Sequence, residues 1–254
     1  MIFRKPVFWI TASLLFIGGL FYSVQVFPKA FAILNVDLKM DREAAFSQSN
    51  TLAEKNNWGP NNYNQVASFS HDTRTQNFVE LDAGGVEKVS SLMQDGLYHF
   101  YTWTVRHYKE HEPNETMIFF TPAGNFYGFK ETLAEKEKGA ALAAGEARVI
   151  AENFVQNETS IQLSEFESIE TSEEVMPSER IDHTFVYQRT KEQIGDGFFR
   201  LKLVVSGDKV TELKHFIKVP ETFSRRFEEM RSANNTLATS ASIAMFLLYG
   251  FGGI

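Results

Sequence analysis

Cysteine is absent from this 254-residue chain. That excludes disulfides, thiolate metal sites and a cysteine nucleophile, but it does not choose a compartment. A basic surplus is also absent: 25 Lys and Arg stand against 32 Asp and Glu, a net charge of −7. Binding DNA or RNA needs a basic face, so nucleic acid is not an expected partner. No phosphate-binding or dinucleotide glycine motif occurs. No Gly-x-Ser-x-Gly elbow occurs either, so no serine can be singled out as a nucleophile. What remains is ordinary and apolar. Hydrophobic residues make up 43% and charged residues 22%, enough for a core and too balanced for a disordered tail. The 24 Phe fall in alternating stretches, as strands favour.

Charge is missing altogether from two runs. Val7 to Phe27 is uncharged, about the 20 residues that a bilayer-spanning helix needs. Trp9 and Tyr22 sit near its ends, and Arg4 and Lys5 precede it. An uncleaved anchor is expected; a cleaved signal is the rival, with Ala30-Phe31-Ala32 as a small-x-small site. Thr236 to Ile254 is uncharged too, and reads as the start of a second membrane helix in a chain cut short. Between them, 28–235 carries all 32 acidic residues and 25 − 2 = 23 basic ones, a net of −9. Basic residues before the first span place this middle outside the cytoplasm, on a bacterial inner membrane.

The middle reads as α+β, two similar halves each made of a helix and an antiparallel sheet. The expected division is 1–28 anchor, 29–138 first half, 139–220 second half, 221–235 juxtamembrane helix and 236–254 the second span. In the first half a strand is expected at 34–38. Asp41 then caps a helix over 42–56, with Ala45, Ser49, Leu52 and Ala53 on one side. Strands are expected at 65–71, 76–82, 98–108, 116–122 and 126–130, with a short helix at 85–94. Ala123-Gly124-Asn125 reads as a hairpin turn. Residues 134–147 form the junction. The second half has a helix over 145–157 and strands at 161–169, 181–189, 198–206 and 210–218. The acidic stretch 164–180, with Glu165, Glu167, Glu170, Glu173, Glu174 and Glu179, reads as a solvated loop; a weak cation site is the sharper alternative. Pro220 opens a last helix with a Phe223, Phe227, Met230 stripe.

Catalytic patterns are few. His107-Tyr108-Lys109-Glu110-His111 matches the H-x-x-E-H zinc motif. That chemistry needs both His one helical turn apart, whereas the residues before it alternate as a strand. In a strand the two His stand about 13 Å apart, too far for one zinc. In Arg180-Ile181-Asp182-His183-Thr184, Arg180 and Asp182 read as a surface pair. Asn114, Asn157 and Asn234 head glycosylation sequons, meaningful only in a glycosylating host. No catalytic, cofactor-binding or metal residue is therefore assigned.

Several strings together carry a resemblance. Val36-Asp37-Leu38-x-Met40-Asp41-Arg42-Glu43-Ala44 resembles the strand-to-helix passage of PepSY-like domains. Arg180 to Tyr187 (RIDHTFVY), Arg200 to Asp208 (RLKLVVSGD), Phe216 to Arg226 (FIKVPETFSRR) and Met230 to Asn235 (MRSANN) resemble one setting. That setting is the N-terminal extracytoplasmic region of some bacterial CAAX-protease-and-bacteriocin-processing (CPBP) intramembrane metalloproteases. The resemblance covers most of 30–240. It implies a regulatory or substrate-gating region, with the bilayer, the protease's own C-terminal membrane domain and a protein or peptide substrate as partners. The family's Glu-Glu-x-x-x-Arg and His motifs are not matched, since Glu228-Glu229 is followed by Arg231 at the wrong spacing. Zinc and catalysis would then belong to a part beyond residue 254. The alternative is a free-standing, membrane-anchored sensor or binding protein without enzymatic activity.

Overall fold

The computed structural model describes residues 5–30 and 32–251; Arg4, Phe31 in the cleavage-like triplet and the terminal Gly252-Gly253-Ile254 lie outside them. The protein is α+β. Six α-helices accompany one antiparallel sheet of eight strands among the described residues. The helices are α1 (Pro6–Ala30), α2 (Arg42–Asn56), α3 (Thr73–Asp82), α4 (Gly85–Gln94), α5 (Ala144–Glu158) and α6 (Glu221–Phe251). The strands are β1 (Asn64–His71), β2 (Tyr101–Tyr108), β3 (Glu115–Phe120), β4 (Phe126–Thr132), β5 (Phe166–Val175), β6 (Ile181–Ile194), β7 (Gly197–Ser206) and β8 (Lys209–Lys218). Their order in the sheet is β1-β2-β3-β4-β8-β7-β6-β5. Each run of four strands is a meander preceded by a helix, and the two meanders meet at β4 and β8.

The helix starts follow from their caps. The Asp41 carboxylate accepts the Ala44 N–H at 2.8 Å, and Asn57 ends α2 in the left-handed conformation. At α5 the Glu146 carboxylate instead reaches back to the Ala143 N–H at 3.2 Å. Both helices bury small residues at i, i+4 and i+8: Ala45, Ser49 and Ala53 in α2, and Ala147, Ala151 and Val155 in α5. Small side chains let the helix axis approach the sheet closely. They meet Val105, Ile118, Phe129, Leu201, Leu203 and Val205 in one continuous core across both meanders. Trp58 closes it, stacked on Phe129 at 3.9 Å. A second core gathers α3 and α4 with Tyr98, Phe100, Phe199, Ile217 and Phe223 of α6. Both cores lie on one side of the sheet; the other side carries no helix.

Four expectations need correction. Residues 34–38 are not a strand. A 3-10 turn covers Ala32–Asn35, Leu34 and Leu38 are exposed, and the chain is held by the Lys39 and Met40 N–H groups donating to the Pro122 carbonyl. Alternation without a partner edge does not make a strand. Residues 76–82 are helical: Asp72 accepts from the Thr75 N–H at 3.1 Å, and Thr75, Phe78 and Val79 are buried at helical spacing. The acidic stretch is not a loop but mostly strand β5, paired along its length with β6. Its polarity on both faces hid the period, since an edge strand with little core beneath it shows no alternation. Arg180 and Asp182 are not a surface pair, as described below.

α1 is long and apolar enough over Pro6–Phe27 to cross a membrane, and is the single such helix among the described residues. Over Pro6–Phe27 none of its side chains is buried. α6 is one unbroken helix of 31 residues, packed on the domain at Phe223 and exposed throughout beyond Phe227. In its outer half the Thr236, Ser240 and Ser242 hydroxyls donate to carbonyls four residues back at 2.8–3.0 Å. Bonding the hydroxyls to the helix itself hides their polarity.

Candidate functional site

The residues of the H-x-x-E-H string part company. His107 lies fully buried in β2, its ring stacked on Tyr63 at 4.0 Å. The Gln65 amide nitrogen donates to His107 Nε2 at 2.9 Å, and Ser49 Oγ of α2 stands 3.1 Å away. Burial pushes the His107 imidazole down to about 4. Glu110 and His111 sit in an exposed turn, His111 with φ 65°. Nowhere among the described residues do three His, Asp or Glu side chains converge as a metal would require. Ser49 and His107 are both fully buried beneath α2, so the pair locks helix to sheet and is closed to a substrate.

Arg180 is 2% exposed. Its guanidinium donates twice to Asp182, at 2.8 and 3.1 Å, and to the Ala134 and Glu137 carbonyls. Nearby, Ser178 donates to the Glu137 carbonyl and Asn114 to the Glu137 carboxylate. His183 meets the Leu142 carbonyl at 2.8 Å. The junction between the meanders is thus clamped from both sides. A buried guanidinium left without these acceptors would be strongly destabilising, which explains why a charged group sits here: it orders the connection.

A third cluster has the character of a binding site, and it lies at the seam. β4 and β8 pair only at Phe129–Leu213 and Lys130–Glu212. Below that point the sheet opens into a slot of ≈ 140 Å³ lined by Asp72, Tyr98, His99, Tyr127, Lys214 and His215, among others. Gly128 is obligatory there, because a Cβ would collide with the Leu213 carbonyl oxygen. His99, Tyr127 and His215 also border a wider cleft of ≈ 620 Å³ reaching the end of α5. Tyr127 stacks on His215 at 4.5 Å and its hydroxyl accepts the His99 N–H at 3.3 Å. Tyr98 donates to Asp72 at 2.7 Å.

Burial sets the electrostatics of this slot. It pushes His215 down to about 4, with His99 adding repulsion, and lowers His99 as well. Burial also raises the Tyr127 and Tyr98 phenols. At neutral pH the imidazoles and phenols are therefore uncharged. Among the described residues, His215 Nδ1 is buried without a hydrogen-bond partner, an arrangement that costs free energy unless something fills it. Such a lining can hold a side chain or small molecule by stacking and hydrogen bonds. It contains no activated nucleophile. None of these residues stood out in the sequence, for they come from segments as far apart as 72 and 215 and join only because β4 meets β8.

No family model matches this chain, nor does any curated protein or solved structure.

Proposed function

We propose that the chain is a membrane-anchored extracytoplasmic module that regulates, or gates substrate for, a CPBP-type intramembrane metalloprotease whose catalytic part lies beyond residue 254. The observation that carries this reading is the continuity of α6. One helix is seated in the domain by Phe223, which meets Phe78 at 5.2 Å, and by the Arg226–Asp82 ion pair and Arg74–Ser224 hydrogen bond. The same helix continues through Asn235 into the uncharged segment. Coupling between two sites needs a physical element shared by both, and α6 is such an element. The exposed apolar α1 supports a second attachment to the bilayer, with 29–235 outside a bacterial inner membrane. The two meanders, with mirrored strand order and equal spacing of small helix residues, support a duplicated PepSY-like unit. Zinc would reside only in the catalytic part.

The alternative, a free-standing membrane-anchored binding protein, is favoured by one observation: Glu228, Glu229 and Arg231 are exposed on α6 outside any catalytic spacing. A flexible Gly-Ser stretch inserted after Asn235 separates the two readings. In the full-length parent the insert is expected to abolish regulation of proteolysis while the domain keeps its melting temperature. Unchanged proteolysis and regulation, or a natural reading frame without further apolar segments bearing Glu and His, would leave the binding-protein reading standing.

A further inference from the structure

The side of the sheet without helices is not uniform in charge. On β7, Phe198, Arg200 and Lys202 point there, directly opposite Lys218, Phe216 and Lys214 of β8. Lys130 of β4 extends the patch beside Glu212. On β4, β7 and β8, five cations thus stand around one carboxylate, Glu212, which is taken by Lys202 at 3.0 Å, while the acids of the same face, Asp182 of β6 and Glu167, Glu170 and Glu174 of β5, lie towards the β5 edge. Lys202 and Lys214 are a directly opposed like-charge pair, which destabilises a sheet. Lys130, Lys214 and Lys218 are exposed and, among the described residues, meet no carboxylate within ion-pair distance. Val186 and Gln188 of β6 are uncharged and separate the patch from Glu170 and Glu167 of β5. Lys214 also lines the seam slot, where His215 Nδ1 lacks a partner and where the nearby Asp72 carboxylate is already engaged by Tyr98 and Thr75.

We propose that the open face of β7 and β8 is a docking surface for an acidic, extended segment of a partner protein, with one of its side chains entering the slot beside Gly128. Cations alternating with Phe198 and Phe216 suit an extended chain that alternates carboxylates with apolar residues. An anionic membrane surface would have no use for a recess, whereas these cations adjoin a slot at the seam, lined by Lys214 itself, that a side chain can enter. The inference rests on the domain having a protein partner, but not on α6 transmitting anything.

The test uses the full chain in zwitterionic nanodiscs and a fluorescein-labelled peptide of alternating Glu and Val, read by anisotropy, with an alternating Lys and Val peptide as control. Binding of the acidic peptide is expected, weakening on added salt. The Lys214→Glu, Lys218→Glu double variant, with unchanged melting, is expected to lose roughly tenfold or more in affinity. Thr102→Trp, at a half-buried position that lines the slot and lies away from the β4–β8 pairing, tests the slot independently and should weaken binding without changing its salt slope. Failure of the acidic peptide to bind, equal binding by the double variant, or preferential binding of the same face to phosphatidylglycerol vesicles would each overturn the proposal. Peptide binding that survives while the Gly-Ser insert has no effect would sink only the coupling role.

Discussion

The two meanders share their order but differ in what joins their first two strands. In the second, β5 turns into β6 through Met176–Arg180, closed by the Met176 N–H donating to the Arg180 carbonyl. In the first, residues 72–100 intervene between β1 and β2 and fold into α3 and α4. That insertion reaches under the other meander. Phe78 packs on Phe223 and closely against Gly197, and Asp82 and Ala83 close on Gly195. The repeated part of the pattern builds the sheet, and the part found once builds the seat of α6. The insertion found in one meander and not the other is thus what gives the sheet a defined connection to α6.

The largest way to break this comparison is Phe78→Ala. Phe78 is 1% exposed, and removing a buried aromatic costs about 3–5 kcal/mol. Urea unfolding should register that loss, and hydrogen exchange should rise in the first turns of α6 while α5 stays protected. Equal effects on both helices would mean the insertion has no special claim on α6.

Acid should act next. His107 and His215 have folded-state values near 4 against an ordinary 6.5, so the unfolded chain takes up protons first as pH falls. Their contribution is full above about pH 6.5, is lost progressively down to about pH 4, and is constant below. For the fully buried His107 the loss is at most about 3 kcal/mol. Urea unfolding near pH 7 and near pH 4.5 measures it, and His107→Phe should flatten part of the difference. An identical pH dependence in that variant would remove His107 from the account.

At the seam, Gly128→Ala forces a methyl into the Leu213 carbonyl and should cost about 1–3 kcal/mol. The two meanders should then unfold less cooperatively, with probes on Trp58 and on β6 no longer coincident. The caps give the smallest effect. Asp41→Ala removes a side-chain cap and should destabilise by about 1 kcal/mol. Ala143→Ser supplies one that α5 lacks and should stabilise by somewhat less, both read by thermal melting. A stabilising Asp41→Ala or a destabilising Ala143→Ser would mean that side-chain capping does not govern the two helix starts in comparable ways.

Much of this fold was legible in local pattern. Asp41 as the start of α2, the 85–94 helix, the turn at Ala123-Gly124-Asn125 and the strands at 198–206 and 210–218 all rest on short-range chemistry: a capping carboxylate, a glycine, a period of two. The errors share a cause. At 34–38 the alternation was real but no edge was available to pair with it. At 76–82 the buried positions Thr75, Phe78 and Val79 keep helical spacing, which three residues are too few to separate from a short strand by period alone. In β5 the four glutamates concealed a strand whose pairing with β6 is its main constraint. Arg180 looked like a surface cation because sequence carries no record of the Ala134 and Glu137 carbonyls that surround it.

The sequence by itself determined the α+β class, the apolar N-terminal run, the helix caps and the turn positions, since each depends on residues within a few places of one another. Only the tertiary structure decided that the two meanders join at β4 and β8, that α6 is seated by an insertion of the first meander, and that His99, Tyr127 and His215 meet in one slot. The same holds for the basic face, whose cations are scattered along the chain as Lys130, Arg200, Lys202, Lys214 and Lys218. Strand pairing brings together residues dozens of positions apart and sorts alternate side chains onto one side. That sorting, rather than composition, concentrates cations on three neighbouring strands, β4, β8 and β7, of an acidic protein.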